Sequence, residues 1–282
     1  MGKAVAQTLI AHGMPVVSCL EGRSERTRQR ALDVGIDIVA SYEELVSHTD
    51  LVMSILVPAE AHAAASTLAQ ALVDQGAANL LFVDCNALAP ATVCSIGETM
   101  RAAGARFVDA GIIGPLPTRE GTTRFYASGA DAAEFAALAT YGLDVRVIGA
   151  TVGQASNFKM CYAASTKGRF AIFIELLVAA RCAGLYDELI DELRLSQPGV
   201  LADMERSLPA IPSKSARWVG EMEEIAATFG DVDMTTDLFT GVADMYRLVS
   251  NSSPSHTNDL ETFISSLAEK LSDRVGGTDH DQ

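Results

Sequence analysis

The chain has 282 residues, 49% hydrophobic and 20% charged, which is long enough for two domains of ordinary size and too apolar for a disordered protein. A net charge of −15, from 36 acidic against 21 basic side chains, makes nucleic acid and anionic membrane surfaces poor partners. No apolar run reaches the roughly 18 to 20 residues that cross a bilayer, and no basic-then-apolar signal opens the chain, so a cytoplasmic enzyme is expected.

Up to about residue 150, short β-branched runs alternate with amphipathic stretches, the pattern of βαβ units around a mostly parallel sheet. Strands are expected at 15–20, 37–40, 50–56, 80–84, 106–113 and 145–148. Helices are expected between them at 3–12, 24–34, 60–75, 90–103 and 132–140, with Pro90 in a first helical turn where its missing N–H is not needed. After Gly153 the strand runs stop, and helical periodicity predicts a long helix over 156–183 and further helices at 186–195, 199–208, 212–229, 235–248 and 255–271. The fold class is therefore α/β: a Rossmann-like parallel-sheet domain over 1–152, an all-helical domain over 153–274, and a polar tail at 275–282 expected to be disordered.

The opening segment from Met1-Gly2 to Gly13 reads as the helix that follows the glycine-rich turn of a dinucleotide-binding domain. The strand before that turn is missing, and of its glycines only Gly2 is present. Truncation upstream is the favoured explanation, and loss of the nucleotide site, leaving a catalytically silent scaffold, is the competing one. Loss of a central strand would leave strand edges uncovered. The run Val16 to Leu20 ends in Glu21-Gly22-Arg23-Ser24, where a second strand meets the adenine ribose. Arg23 and Ser24 suit a 2′-phosphate through charge-assisted hydrogen bonds and favour NADP, while Glu21 keeps NAD open. The cluster Arg23, Arg26, Arg28 and Arg30 reads either as a phosphate site or as a solvated helix face. The five cysteines have no Cys-x-x-Cys pair and are read as reduced, and the five histidines show no metal-ligand spacing.

Five segments in order resemble the 6-phosphogluconate and β-hydroxyacid dehydrogenase superfamily along nearly the whole chain. Besides the opening helix, Ser54-Ile55-Leu56-Val57-Pro58 resembles the strand and loop beside the nicotinamide ribose. Asp84-Cys85-Asn86-Ala87-Leu88-Ala89-Pro90 is similar to the substrate loop Asp-x-Ser-Thr-x-x-Pro, with Asn86 and Ala87 in place of the Ser-Thr pair. Asp109-Ala110-Gly111-Ile112-Ile113-Gly114-Pro115 resembles Asp-Ala-Pro-Val-Ser-Gly-Gly, keeping Gly114 and losing a backbone donor at Pro115. Gly153-Gln154-Ala155-Ser156-Asn157-Phe158-Lys159 resembles Gly-x-Gly-x-x-x-Lys at the start of the interdomain helix.

The resemblance implies an NADP-dependent oxidoreductase with its active site in the cleft between the domains. Lys159 would be general acid/base, with Tyr162 assisting. Asn86, Gly114, Thr166 and Lys167 would contact a small alcohol or carbonyl substrate, and Gly2, Arg23, Ser24, Leu56, Val57 and Pro58 would contact the cofactor. Lys159, Tyr162, Ala163, Thr166 and Lys167 fall on one helical stripe. Ala163 stands where the family has Asn, and Glu223 stands where hydroxyacid dehydrogenases have a lysine. The Thr166-Lys167-Gly168 sequence resembles a poorly characterised branch of the superfamily. An imine reductase on the same fold is the alternative activity, and a homodimer through the helical domain is the expected assembly.

Overall fold

The structure, a computed structural model, describes residues 1–119, 121–252 and 259–276. It divides into two compact units, Met1–Cys161 and Tyr162–Gln282.

In the first unit, α1 (Gly2–Ala11), β1 (Val17–Cys19), α2 (Glu25–Leu32), β2 (Asp37–Val39), α3 (Tyr42–His48), β3 (Leu51–Ser54), α4 (Pro58–Gln75), β4 (Leu81–Asp84), α5 (Pro90–Ala102) and β5 (Arg106–Ile113) alternate along the chain. Then come β6 (Arg124–Ser128), α6 (Ala132–Ala136) with a following 3-10 turn, β7 (Asp144–Gly149) and α7 (Gln154–Ala163). Local chemistry sets many boundaries. The Ser24 and Ser41 hydroxyls accept the amides of Thr27 and Glu44 to start α2 and α3. Pro58 and Pro90 begin α4 and α5 in the turn that needs no N–H.

The strands form two sheets. The pair β1–β2 is parallel, and the second sheet has the order β3-β4-β5-β6-β7, with only the β5–β6 pairing antiparallel. Among the described residues no strand bridges β1 and β3. Side chains alternate across the second sheet. Phe82 and Phe107 stack with centroids 5.8 Å apart in the core beneath α4 and α5, while Leu81, Val83, Val108 and Ala110 pack with Val5 and Leu9 of α1.

The second unit is helical. The chain leaves α7 through a π-helical turn at Ala164–Gly168 and continues as α8 (Arg169–Cys182), α9 (Tyr186–Ser196), α10 (Pro198–Ser207), α11 (Pro212–Gly230), α12 (Asp237–Ser252) and α13 (Leu260–Gly276). Buried residues recur at helical spacing, as at Trp218, Met222 and Ile225 on α11 and at Phe239, Val242, Tyr246 and Val249 on α12. The two helices join through Trp218–Tyr246 and Phe229–Phe239 ring contacts at 5.3 and 4.9 Å.

The expected 156–183 helix is thus two helices joined by a π turn. The expected 255–271 helix begins at Leu260 within the described part, and 255–258 lie outside the described residues. Of the tail expected to be disordered, Val275 and Gly276 belong to α13, and 277–282 lie outside the described residues. No described helix is long and apolar enough to cross a membrane.

Candidate active site

The centre of the first unit is a polar row across the sheet. Ser54, Asp84, Asp109 and Ser128 are successive register partners on β3, β4, β5 and β6. In a pleated sheet such partners project from one face, so four polar side chains line up among apolar neighbours. All four are buried. Burial raises the Asp84 carboxyl to about 6, against the pull of hydrogen bonds from Asn86 and with a further push from Asp109. Burial also pushes Asp109 up, opposed by its bonds to Ser156, Ser128 and Gly153.

Asn86, expected to contact substrate, turns inward. It is buried, its Nδ2 donates to Ser54 Oγ at 2.9 Å and to Asp84 Oδ2 at 3.1 Å, and its Oδ1 accepts from the Leu56 amide. Its own amide donates to Asp84 Oδ1 at 2.9 Å. Asn86 therefore ties the loop after β4 to the loop after β3, joining a residue expected on the substrate side to one expected on the cofactor side.

Lys159 is carried by α7 across β5. Its Nζ donates to the Ile112 carbonyl at 2.6 Å, and its stem crosses Gly111 so closely that a Cβ there would lie 2.7 Å from the Lys159 Cβ. Gly111 is a glycine because α7 leaves room for nothing larger. Gly114 has φ +122°, and a Cβ on it would lie 2.2 Å from the Thr122 carbonyl oxygen, so its glycine character answers a backbone approach within the β5–β6 connection. Thr123 Oγ1 donates to the Pro115 carbonyl at 2.7 Å, closing the same connection.

On the expected cofactor side, the first turn of α1 has no side-chain cap, and Gly2 stands beside Ile55. Arg23 is exposed and pairs with Glu60 at 3.5 Å. The Ser24 hydroxyl accepts the Thr27 amide. Leu56 and Val57 lead into α4, whose first residue is Pro58.

In the second unit, Tyr162 is exposed, and Thr166 Oγ1 donates back to the carbonyls of Tyr162 and Ala163 at 3.3 and 3.2 Å. Lys167 forms an ion pair with Glu221 and lies 5.3 Å from the Trp218 ring centroid, while Tyr246 donates to the Lys167 carbonyl in the π turn. Lys167 is therefore engaged by its own unit.

The sequence singled out Asn86, Gly114 and Lys159, but not the groups that support them: Asp84, Asp109, Ser128, Ser156 and Gly111. The signal was present, since Asp84 and Asp109 begin the quoted loops and Ser156 precedes Lys159 by three residues.

Residues 180–249 match a domain of unknown function, and residues 1–151 match the NAD binding domain of 6-phosphogluconate dehydrogenase. An uncharacterised 28.5 kDa protein of Methanothermus fervidus is 31% identical over 192 residues, 68% of this chain and 72% of that one. Among solved structures, 3-hydroxyisobutyrate dehydrogenase of Mycobacterium tuberculosis has a TM-score of 0.69 at 16% identity, covering 96% of this chain and 95% of that one. The reductive aminase of Aspergillus terreus in complex with NADPH and ethyl levulinate has a TM-score of 0.53 at 17% identity, with 96% and 95% covered. With more than half of its length matched, this chain belongs to the family of the NAD binding domain of 6-phosphogluconate dehydrogenase.

Proposed function

We propose that this protein is an NADP-dependent oxidoreductase that moves hydride between nicotinamide and a small alcohol or carbonyl substrate, with Lys159 as its general acid/base. The observation that carries the reading is the seat of Lys159. A helix from a glycine-marked turn lays its amine on the end of β5, against a glycine that leaves no space for slack. Such a group can take a hydroxyl proton as hydride leaves, or return it to a carbonyl oxygen in the reverse direction.

The residues present fit the cofactor. The uncapped amides of α1, beginning at Gly2, suit a phosphate, because helix N-termini offer unpaired N–H groups and a favourable dipole. Arg23 stands exposed at the end of β1, where its guanidinium with Ser24 would hold a 2′-phosphate, and Leu56, Val57 and Pro58 would flank the nicotinamide ribose. When bound, the nicotinamide supplies or accepts the hydride. Asn86 keeps the Leu56 loop in place, beside the buried polar row of the sheet.

Tyr162, Thr166 and Lys167 belong to the second unit, where Thr166 donates to its own helix and Lys167 pairs with Glu221. Imine reduction is the second reading, favoured by the likeness to a reductive aminase solved with NADPH. The homodimer belongs to the same proposal, since Ile172 of α8 and Leu238 of α12 are exposed apolar residues, and light scattering would test it. The deciding experiment follows NADPH and NADH oxidation with panels of ketones, aldehydes and preformed imines. Turnover of carbonyls with NADPH supports the first reading, turnover of imines alone supports the second, and no turnover with any acceptor contradicts both.

A further inference from the structure

The first turn of α7 has an unusual cap. Helix N-termini normally satisfy their amides with a serine, threonine or aspartate a few residues away. Here Gln154, the first residue of the helix, turns its Oε1 back to accept the Thr151 amide at 3.0 Å. The cap instead comes from β5, 44 to 47 residues earlier: Asp109 Oδ2 accepts the Gly153 and Ser156 amides at 2.9 and 3.0 Å, and Oδ1 accepts the Ser156 hydroxyl at 2.7 Å. Ser128 donates to the same Oδ2 at 3.1 Å and accepts the Ala155 amide at 2.9 Å, so three amides of the turn are held directly or through one hydroxyl.

A second contact between the same two elements lies three residues on in each. Ser156 binds Asp109, and Lys159 binds Ile112. Three residues advance a helix about 4.5 Å and a strand about 10 Å, so the extended lysine makes up the difference. Between the two contacts lies Gly111, against Lys159 and the Ala155 carbonyl.

We propose that Asp109 is a positioning residue for Lys159, its buried carboxylate seating the first turn of α7 on β5 and so fixing where the ammonium stands. The carboxylate suits this place because the helix dipole favours an anion at the N-terminus, and because four donors compensate a burial that would otherwise be prohibitive. Asp84, its register partner, supports the cofactor side through Asn86 in the same manner, so two neighbouring carboxylates hold the two sides of the site. The inference rests on the reading of Lys159 as proton carrier for its functional meaning, but its geometry can be tested without a substrate.

The test is trace acetylation of the full-length protein with acetic anhydride, read by mass spectrometry at Lys159 relative to exposed Lys3 and Lys270. Asp109→Asn keeps an acceptor for the Ser156 hydroxyl but turns an NH2 toward the two amides. It should raise relative labelling of Lys159 about fivefold, the scale of one lost hydrogen bond, while unfolding stays cooperative. An unchanged ratio in the folded variant overturns the proposal. If Asp109→Asn does not fold, Ser156→Ala takes its place, with a smaller rise expected and an unchanged ratio again overturning. Once a substrate is found, Asp109→Asn should reduce turnover in the wild-type background and have no further effect in Lys159→Ala. An equal loss in both backgrounds would mean a merely structural role and overturn the proposal. A labelling shift without turnover by the wild-type protein on any acceptor would instead contradict the enzymatic reading and leave the anchoring of α7 standing.

Discussion

Gly111 of β5 and Lys159 of α7 are packed to the limit: a Cβ on the glycine would lie 2.7 Å from the lysine Cβ and 3.2 Å from the Ala155 carbonyl oxygen. The backbone cannot yield without moving the helix. Gly111→Ala is therefore expected to lower stability by about 1–3 kcal/mol, the range for overpacking a filled site, and to cut turnover more than cofactor affinity. Denaturant unfolding and NADPH titration of one preparation check both parts.

The buried Asp84 carboxyl gives a prediction with a definite sign. Burial raises it from 3.8 to about 6, so between those values the folded chain binds more protons than the unfolded one. Stability contributed by the protonated form is full below about 4, is lost as pH rises through 6, and is level above. The stability of the wild-type chain relative to Asp84→Asn should therefore fall by about 2–3 kcal/mol between pH 4 and 7, because each tenfold difference in proton affinity between the folded and unfolded chain is worth about 1.4 kcal/mol. Urea unfolding of both proteins across that range measures it, and a pH-independent difference would refute the assignment.

Removing Asn86 strands its partners. In Asn86→Ala the Leu56 amide loses its acceptor and Ser54 and Asp84 lose a donor, at a cost of about 1–3 kcal/mol for each buried group that water does not reach. The loop carrying Leu56 should loosen, so NADPH affinity should drop together with the melting temperature. Thermal denaturation with and without NADPH separates the two effects.

In the proposed reading Arg23 bears on cofactor choice alone. It is exposed and its contact with Glu60 is long, so Arg23→Ala should change stability by less than about 0.5 kcal/mol. Loss of one charge-assisted bond to a 2′-phosphate should weaken NADPH binding by about tenfold and leave NADH binding unchanged, as fluorescence titration with each cofactor would establish.

Much of this architecture is legible locally, because local chemistry makes it. β5 spans Arg106–Ile113 as its β-branched run predicts, and the helices opening at Pro90 and Pro212 begin where proline tolerates a helix start. The seven residues of α3 are too few to show a helical period, although Ser41 and Glu44 carry a capping signal. The π turn at Ala164–Gly168 has no local signature, and Tyr246, far along the chain, satisfies one of its carbonyls. The residues that support the site stand in the recognised loops, but their pairing was illegible for a similar reason. That Asp109 caps a helix 44 residues away, and that Asn86 spends its amide on Ser54 and Leu56, are consequences of strand order, which spacing along the chain does not encode.

Proton transfer by Lys159 is the central claim, and the most direct measurement is steady-state NADPH oxidation by Lys159→Ala beside the wild-type protein, with cofactor binding measured on the same samples. NADPH affinity should stay within about twofold while turnover falls by about 10²–10⁴, the usual contribution of a positioned acid/base. A variant that binds NADPH and turns over at the wild-type rate would contradict that role for the lysine.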